Sequence, residues 1–192
     1  MNKKIILGSS SPRRIQLLKD ILGIEPEVRI PNIDEHIYHE IEVRNIASEL
    51  ALNKFKSLCI QFPLQPNEIL ITADTTVILN NKIIDKPKDI EEAKTILHSL
   101  SNNSHEVITG VCIGNHKDYQ VFSEKTFVKF GNLRSEDIDY YIKKGQPLDK
   151  AGGYGIQEWI GQIGVESIDG CFYNVMGFPV HKIYKSLQLF LT

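Results

Sequence analysis

The stretch "KKIILGSSSPRRIQLLKDILG" (residues 3–23) holds a strand, a polar turn and a helix in immediate succession. Lys3–Gly8 is short and rich in branched apolar side chains, and reads as a first strand. From Pro12 onward, Ile15, Leu18, Ile21 and Leu22 recur on one face, while Arg13, Arg14, Gln16, Lys19 and Asp20 fall off it. That spacing predicts a helix over 12–23. Ser11 suits the cap, Pro12 the first helical position and Gly23 the exit. Two arginines in the first turn stand at the positive end of the helix dipole, unfavourable by about 0.3–1 kcal/mol each. An anion docked at that turn would reverse the sign. Backbone N–H groups, the hydroxyls of Ser9 and Ser11 and the guanidiniums of Arg13 and Arg14 would together cradle phosphate. On these residues alone, a capped surface helix with solvated arginines is the competing reading.

The alternation continues outward. A short strand at 26–30 precedes the polar loop PNIDEHIYHE, and residues 42–60 read as a helix with Val43, Ile46, Ala47, Leu50, Ala51, Phe55 and Leu58 inward. Residues 68–79, EILITADTTVIL, are β-rich, and Asn80-Asn81 can turn that strand into KIID because asparagine tolerates positive φ. A helix follows at 89–100, with Ile90, Ala93, Ile96, Leu97 and Leu100 inward. Two long strands at 105–115 and 119–130 flank a hairpin tip, HKD. A helix at 135–145 opens on a Ser135 cap, the glycine-rich AGGYGI leads to further short strands, and a helix at 180–190 closes the series. Helices alternate with strands early and long hairpin strands fill the middle. The expectation is an α/β protein with a bent mixed sheet flanked by helices, in which any division into lobes is discontinuous in sequence.

Composition narrows the function. The 192 residues, 42% hydrophobic and 24% charged, describe an ordinary globular protein, and a net charge of −2 disfavours nonspecific RNA or DNA binding. Cys59, Cys112 and Cys171 are far apart and show no CxxC or zinc spacing, which fits reduced thiols in a cytoplasmic protein. Ile5-Ile6-Leu7 is too short for the apolar region of a signal peptide, and no apolar run has the length of a membrane span.

Several residues carry chemical potential. Asp74, followed by Thr75, interrupts an apolar strand, where an acid must be satisfied or functional. It either accepts a proton from water or holds a divalent metal. Glu35, beside Asp34 in the polar loop, is a second carboxylate suited to an oxygen-ligated metal. Lys54 lies on the 42–60 helix and Lys86 in the turn Asp85-Lys86-Pro87. Each is a solvated lysine on its own evidence. In DKAGGYGIQ (149–157) the glycines permit close backbone approach to a ligand. Gln157 offers both a donor and an acceptor, as reading a base edge requires. His36 and His39 match neither HExxH nor a zinc ligand set and read as loop histidines.

Taken in order, SSSPRR (9–14), DE (34–35), LALNK (50–54), ADTTV (73–77), DKP (85–87), HEVITGV (105–111), DKAGGYGIQ (149–157) and NVMGFP (174–179) resemble the Maf family of nucleoside triphosphate pyrophosphatases. The resemblance spans nearly the whole chain. It implies a fold like that of the inosine-triphosphate pyrophosphatases, two lobes with a central cleft. It implies hydrolysis between the α- and β-phosphates, a divalent cation (Mg²⁺, Mn²⁺ or Co²⁺) and a homodimer. The glutamine after YGI resembles the branch acting on dTTP and UTP. The resemblance then assigns specificity to Arg13, Thr75 and Gln157 and catalysis to Asp74. Ser9, Ser11, Arg14, Lys54 and Lys86 join Arg13 in binding phosphate, and Glu35 joins Asp74 at the metal. Two departures stand out. Gly8 replaces a frequent alanine, and Glu158-Trp159 follows Gln157 where many members continue with glycine. The rival reading is a non-enzymatic nucleotide-binding regulator of cell division, which the same cations would serve.

Overall fold

A computed structural model describes residues 3–33, 41–145 and 147–191. Strand β1 (Lys4–Gly8) enters helix α1 (Pro12–Leu22), with Pro12 at the first turn and Gly23 leaving in the left-handed conformation at φ 68. Ser11 occupies the cap position without a side-chain capping bond, so the turn is not closed as its sequence suggests. Leu17 and Leu18 are buried, whereas Ile15 and Ile21 are half-buried, which rotates the inner face from the expected stripe. After β2 (Glu27–Val28), helix α2 runs Ile46–Gln61, starting four residues later than the expected 42. Asp34, Glu35, His36 and His39 lie outside the described residues.

Strand β3 (Glu68–Leu79) has the expected bounds. Asn80 and Asn81, at φ 51 and 59, return it into β4 (Lys82–Ile84), with Val77 opposite Ile84. This is the paired positive-φ geometry that favours asparagine in a two-residue hairpin. Helix α3 (Ile90–Leu100) buries Ala93, Leu97 and Leu100 but leaves Ile90 exposed, because Ile90 is the first helical residue after the Asp89 cap. Strands β5 (Ser104–Gly114) and β6 (Tyr119–Phe130) meet at a turn closed by Asn115, whose Oδ1 accepts the N–H groups of Lys117 and Asp118. Helix α4 runs Ser135–Lys144 with Arg134, not Ser135, at the cap. Two 3₁₀ turns (Pro147–Asp149 and Ala151–Gly153) lead to α5 (Trp159–Gly164), β7 (Val165–Asp169), α6 (Phe172–Val175) and α7 (Val180–Leu191). Two short helices and one strand therefore stand where several short strands were expected.

The strands form one mixed sheet in the order β2-β1-β3-β5-β6-β7, with β4 on β3. β1 runs parallel to β2 and β3, with Ile6 opposite Leu70, while β6 and β7 are antiparallel. This is the helix-flanked mixed sheet read from the pattern.

The chain resolves into two compact units. The first comprises Met1–Asp74, Thr109–Glu124 and Gly177–Thr192 and includes a core of Ile6, Ala51, Phe55, Leu58, Leu70 and Cys112. The second comprises Thr75–Ile108 and Lys125–Met176, and Leu97, Val107, Phe130, Tyr141, Tyr154 and Ile160 belong to its core. Within the first unit α2 lies so close to β5 that a Cβ at Gly110 would fall 2.3 Å from the backbone of Ala47 and Ser48. Only glycine admits that approach. Gly110→Ala should cost about 1–3 kcal/mol through overpacking, read as a lowered midpoint in urea unfolding; an unchanged midpoint would contradict the packing.

Candidate active site

β3 is buried along its length except at Asp74 and Thr75, which are half-buried. The strand is therefore a sealed element with one polar opening, and Asp74 stands at it. Lys54, on α2, places Nζ 2.5 Å from Asp74 Oδ1, with the two side chains only 10% and 14% exposed. Each charge offsets the other's desolvation, and removing Lys54 would leave the half-buried Asp74 carboxylate without this ammonium. The seven-residue step back from Lys54 to Ala47 is two helical turns, so the packing of α2 on Gly110 sets the height of the ammonium.

The serine turn is tied to the same strand. Ser9 is buried, and its Oγ accepts the Ser11 N–H at 3.3 Å and Arg14 Nη1 at 3.3 Å. Arg14 Nη1 also donates to the Ala73 carbonyl at 2.8 Å, and Nε to the Gly177 carbonyl at 2.8 Å. Arg14 thus fastens the SSSPRR turn to the residue preceding Asp74 and to the NVMGFP segment. Ser9, Arg14, Lys54 and Asp74 come together in the first unit. Ser11 and Arg13 are half-buried in the same turn. Thr75, Lys86 and Gln157 belong to the second unit, where Lys86 is exposed. Glu35 lies outside the described residues.

In the second unit Gln157 borders a cavity of about 410 Å³ walled by Ile156, Val165, Ile168, Phe172 and Gln162. Among the described residues its Oε1 is buried and has no hydrogen-bond partner. Gln157 thus stands among apolar side chains at a depression open to solvent. Two glycines of DKAGGYGIQ serve the protein's own packing, since a Cβ on Gly152 would crowd Val77 and one on Gly155 would meet the Glu158 side chain.

The sequence alone assigns no role to the polar side chains of Tyr141, Lys150, Glu158, His105 and Tyr154 around that loop. Tyr141 donates to Glu158 Oε2 at 2.5 Å and accepts the Gly155 N–H at 3.1 Å. Lys150, buried, pairs with Asp149 and Glu158. His105 Nε2 meets the Tyr154 hydroxyl at 2.7 Å, and its ring stacks on Phe130. Burial pushes His105 down to about 4 and drives the Tyr154 phenol well above its ordinary value. Burial, followed by the bond to Glu158, does the same to Tyr141. HEVITGV and DKAGGYGIQ were visible as blocks, but nothing in their spacing tells that a histidine in one meets a tyrosine in the other.

The Maf-like protein family model matches residues 4–190. The chain belongs to the Maf family. It is 48% identical over 188 residues to the dTTP/UTP pyrophosphatase of Parabacteroides distasonis, covering 97% of this chain and 96% of that protein. It is 43% identical over 187 residues to that of Porphyromonas gingivalis (97% and 94%) and 44% identical over 186 residues to that of Flavobacterium psychrophilum (97% and 94%). Family membership implies a metal-dependent pyrophosphatase. Among the described residues no three His, Cys, Asp or Glu side chains gather to hold a metal, and no helix is long and apolar enough to cross a membrane.

The buried imidazole has a pH consequence. His105 is neutral in the folded chain down to about pH 4 but protonates near 6.5 once unfolded, so stability rises with pH between those values. Going from pH 7.5 to pH 5 this group alone withdraws about 2 kcal/mol. His105→Gln should flatten that part of the profile, measured as the difference in Tm between the two pH values.

Proposed function

We propose that this Maf-family chain hydrolyses the α–β phosphoanhydride of dTTP and UTP, releasing the nucleoside monophosphate and pyrophosphate. The observation that carries the reading is Asp74, a carboxylate at the single opening of a buried strand, held by Lys54. In this reading Asp74 takes a proton from the attacking water as in-line displacement proceeds at the α-phosphorus. The SSSPRR turn, where Ser9 and Arg14 already order the backbone, supplies N–H groups, hydroxyls and the Arg13 guanidinium to the phosphates. Lys54 and Lys86 add cationic charge, and Thr75 completes the polar opening beside Asp74. Positioning and electrostatics carry the acceleration.

The residues fit a hard divalent ion in a limited sense. Asp74 provides a carboxylate oxygen, and such ions commonly bind through one or two carboxylates together with substrate phosphates. Asp74, with Glu35 as the second carboxylate, would hold the ion. When bound, Mg²⁺, Mn²⁺ or Co²⁺ supplies positive charge to the phosphate oxygens.

Gln157 reads the base in this account. Uracil and thymine present an N3–H donor, which the Gln157 carboxamide oxygen would accept once its side chain turns to the base, and cytosine has no such hydrogen. A homodimer is the assembly the family resemblance implies, testable by light scattering at twice 21.8 kDa. Three unpaired cysteines suit a reducing cytoplasm.

Incubation with UTP and Mg²⁺ should yield UMP and pyrophosphate. Bound but intact UTP would instead make the chain a nucleotide-binding regulator. Asp74→Asn should lower kcat by about 10²–10⁴-fold, and near-normal turnover would remove Asp74 from the reaction. Gln157→Ala should lower kcat/KM for UTP by about tenfold or more while sparing CTP; an unchanged UTP-to-CTP ratio would end the base-reading assignment.

A further inference from the structure

Glu158 is the N-cap residue of α5, with extended backbone at φ −90 and ψ 174, yet its side chain makes no capping bond. Glutamate is not among the residues that cap well, so the local helix does not account for it. Its carboxylate turns to other elements instead. Oε2 takes the Tyr141 hydroxyl of α4 at 2.5 Å, and Oε1 takes Lys150 Nζ at 3.1 Å. Lys150 is 5% exposed and also meets Asp149 Oδ1 at 2.6 Å. The Tyr141 oxygen in turn accepts the Gly155 N–H, and the Glu158 N–H donates back to the Gly155 carbonyl at 2.9 Å. Gly155 has room only for a hydrogen beside the Glu158 carboxylate, since a Cβ would lie 2.7 Å from Cδ. Both ends of the segment Gly155-Ile156-Gln157-Glu158 are therefore fixed, and Gln157 is the residue between the fixed points.

We propose that Tyr141 and Glu158 are positioning residues for nucleotide selection: their hydrogen bond, braced by Lys150, fixes the turn that holds the Gln157 carboxamide at the base. A single weak acceptor discriminates between bases only if its carrier cannot shift to suit the wrong one. Tyr141 is 2% exposed, on a helix packed in the core of this unit, so the bond transfers that rigidity to the loop. The proposal rests on Gln157 reading the base.

The test measures kcat and KM separately for UTP and CTP in Tyr141→Phe, Glu158→Gln, Gln157→Ala and the Tyr141→Phe/Gln157→Ala double variant, with Tm for each. Tyr141→Phe keeps the ring and removes the hydroxyl. It should raise KM for UTP about tenfold, hold kcat within about twofold, and narrow the UTP-to-CTP ratio. Glu158→Gln retains an acceptor for the tyrosine and should keep most of the preference. In the Gln157→Ala background Tyr141→Phe should change the ratio no further, as expected for groups acting in series. A lowered Tm with an unaltered UTP KM and ratio in Tyr141→Phe would make the network purely structural and overturn the proposal. Full additivity in the double variant would overturn it as well. If Gln157→Ala itself leaves the ratio unchanged, the base-reading assignment fails first and the positioning role falls with it, which separates the two failures.

Discussion

The buried pairing of Lys54 with Asp74 is the constraint around which the first unit is arranged. An acid inside an otherwise sealed strand is costly, and it is tolerated because an ammonium from α2 stands 2.5 Å away. The Lys54 side chain is itself only 10% exposed, so its location is not a matter of side-chain choice but of where α2 lies. The helix in turn rests its first turn on Gly110 of β5, and its Ala51 carbonyl accepts the Thr72 hydroxyl of β3 at 2.6 Å. Sheet, helix and charge pair are thus three expressions of one packing arrangement.

The same strand contains a useful contrast. Glu68, at its start, is also buried, but its oxygens meet the Gln65 N–H, Arg29 and Lys4. Burial alone would raise its carboxyl; the Gln65 bond and Arg29 outweigh that and hold it below the usual carboxylate range. Such an acid belongs to the fold, joining β1 and the segment after β2 to the entry of β3. Asp74 sits six residues further, at the half-buried opening, beside the turn carrying Ser9 and Arg14. The proposed reactive role of Asp74 rests on those surroundings, not on the residue type.

Much of this was legible in sequence because short-range pattern controls it. β3 is bounded by Glu68 and the Asn80-Asn81 turn, and α3 by Asp89, whose side chain accepts the Glu92 N–H. The region after AGGYGI was misread because Trp159–Gly164 is too short for a helical period to declare itself, and only its packing makes it helical. Gln157 could be singled out from its block, whereas Tyr141, Lys150 and Glu158 could not. Tyr141 is a core residue of α4 by periodicity, and its hydroxyl acquires meaning only from a carboxylate 17 residues away.

Arg14 shows how a sound local argument can have more than one solution. Two arginines at the positive end of a helix imply nearby negative charge, and an external anion is one way to supply it. The structure supplies part of it internally, through the carbonyls of Ala73 and Gly177 and the hydroxyl of Ser9. Arg14 thereby ties the serine turn to the strand residue before Asp74, beside the phosphate-binding role that the family resemblance implies for it. Because reacting groups displaced by about an ångström lose much of their effect, a residue that makes this tie would serve the proposed reaction through geometry as well as through charge.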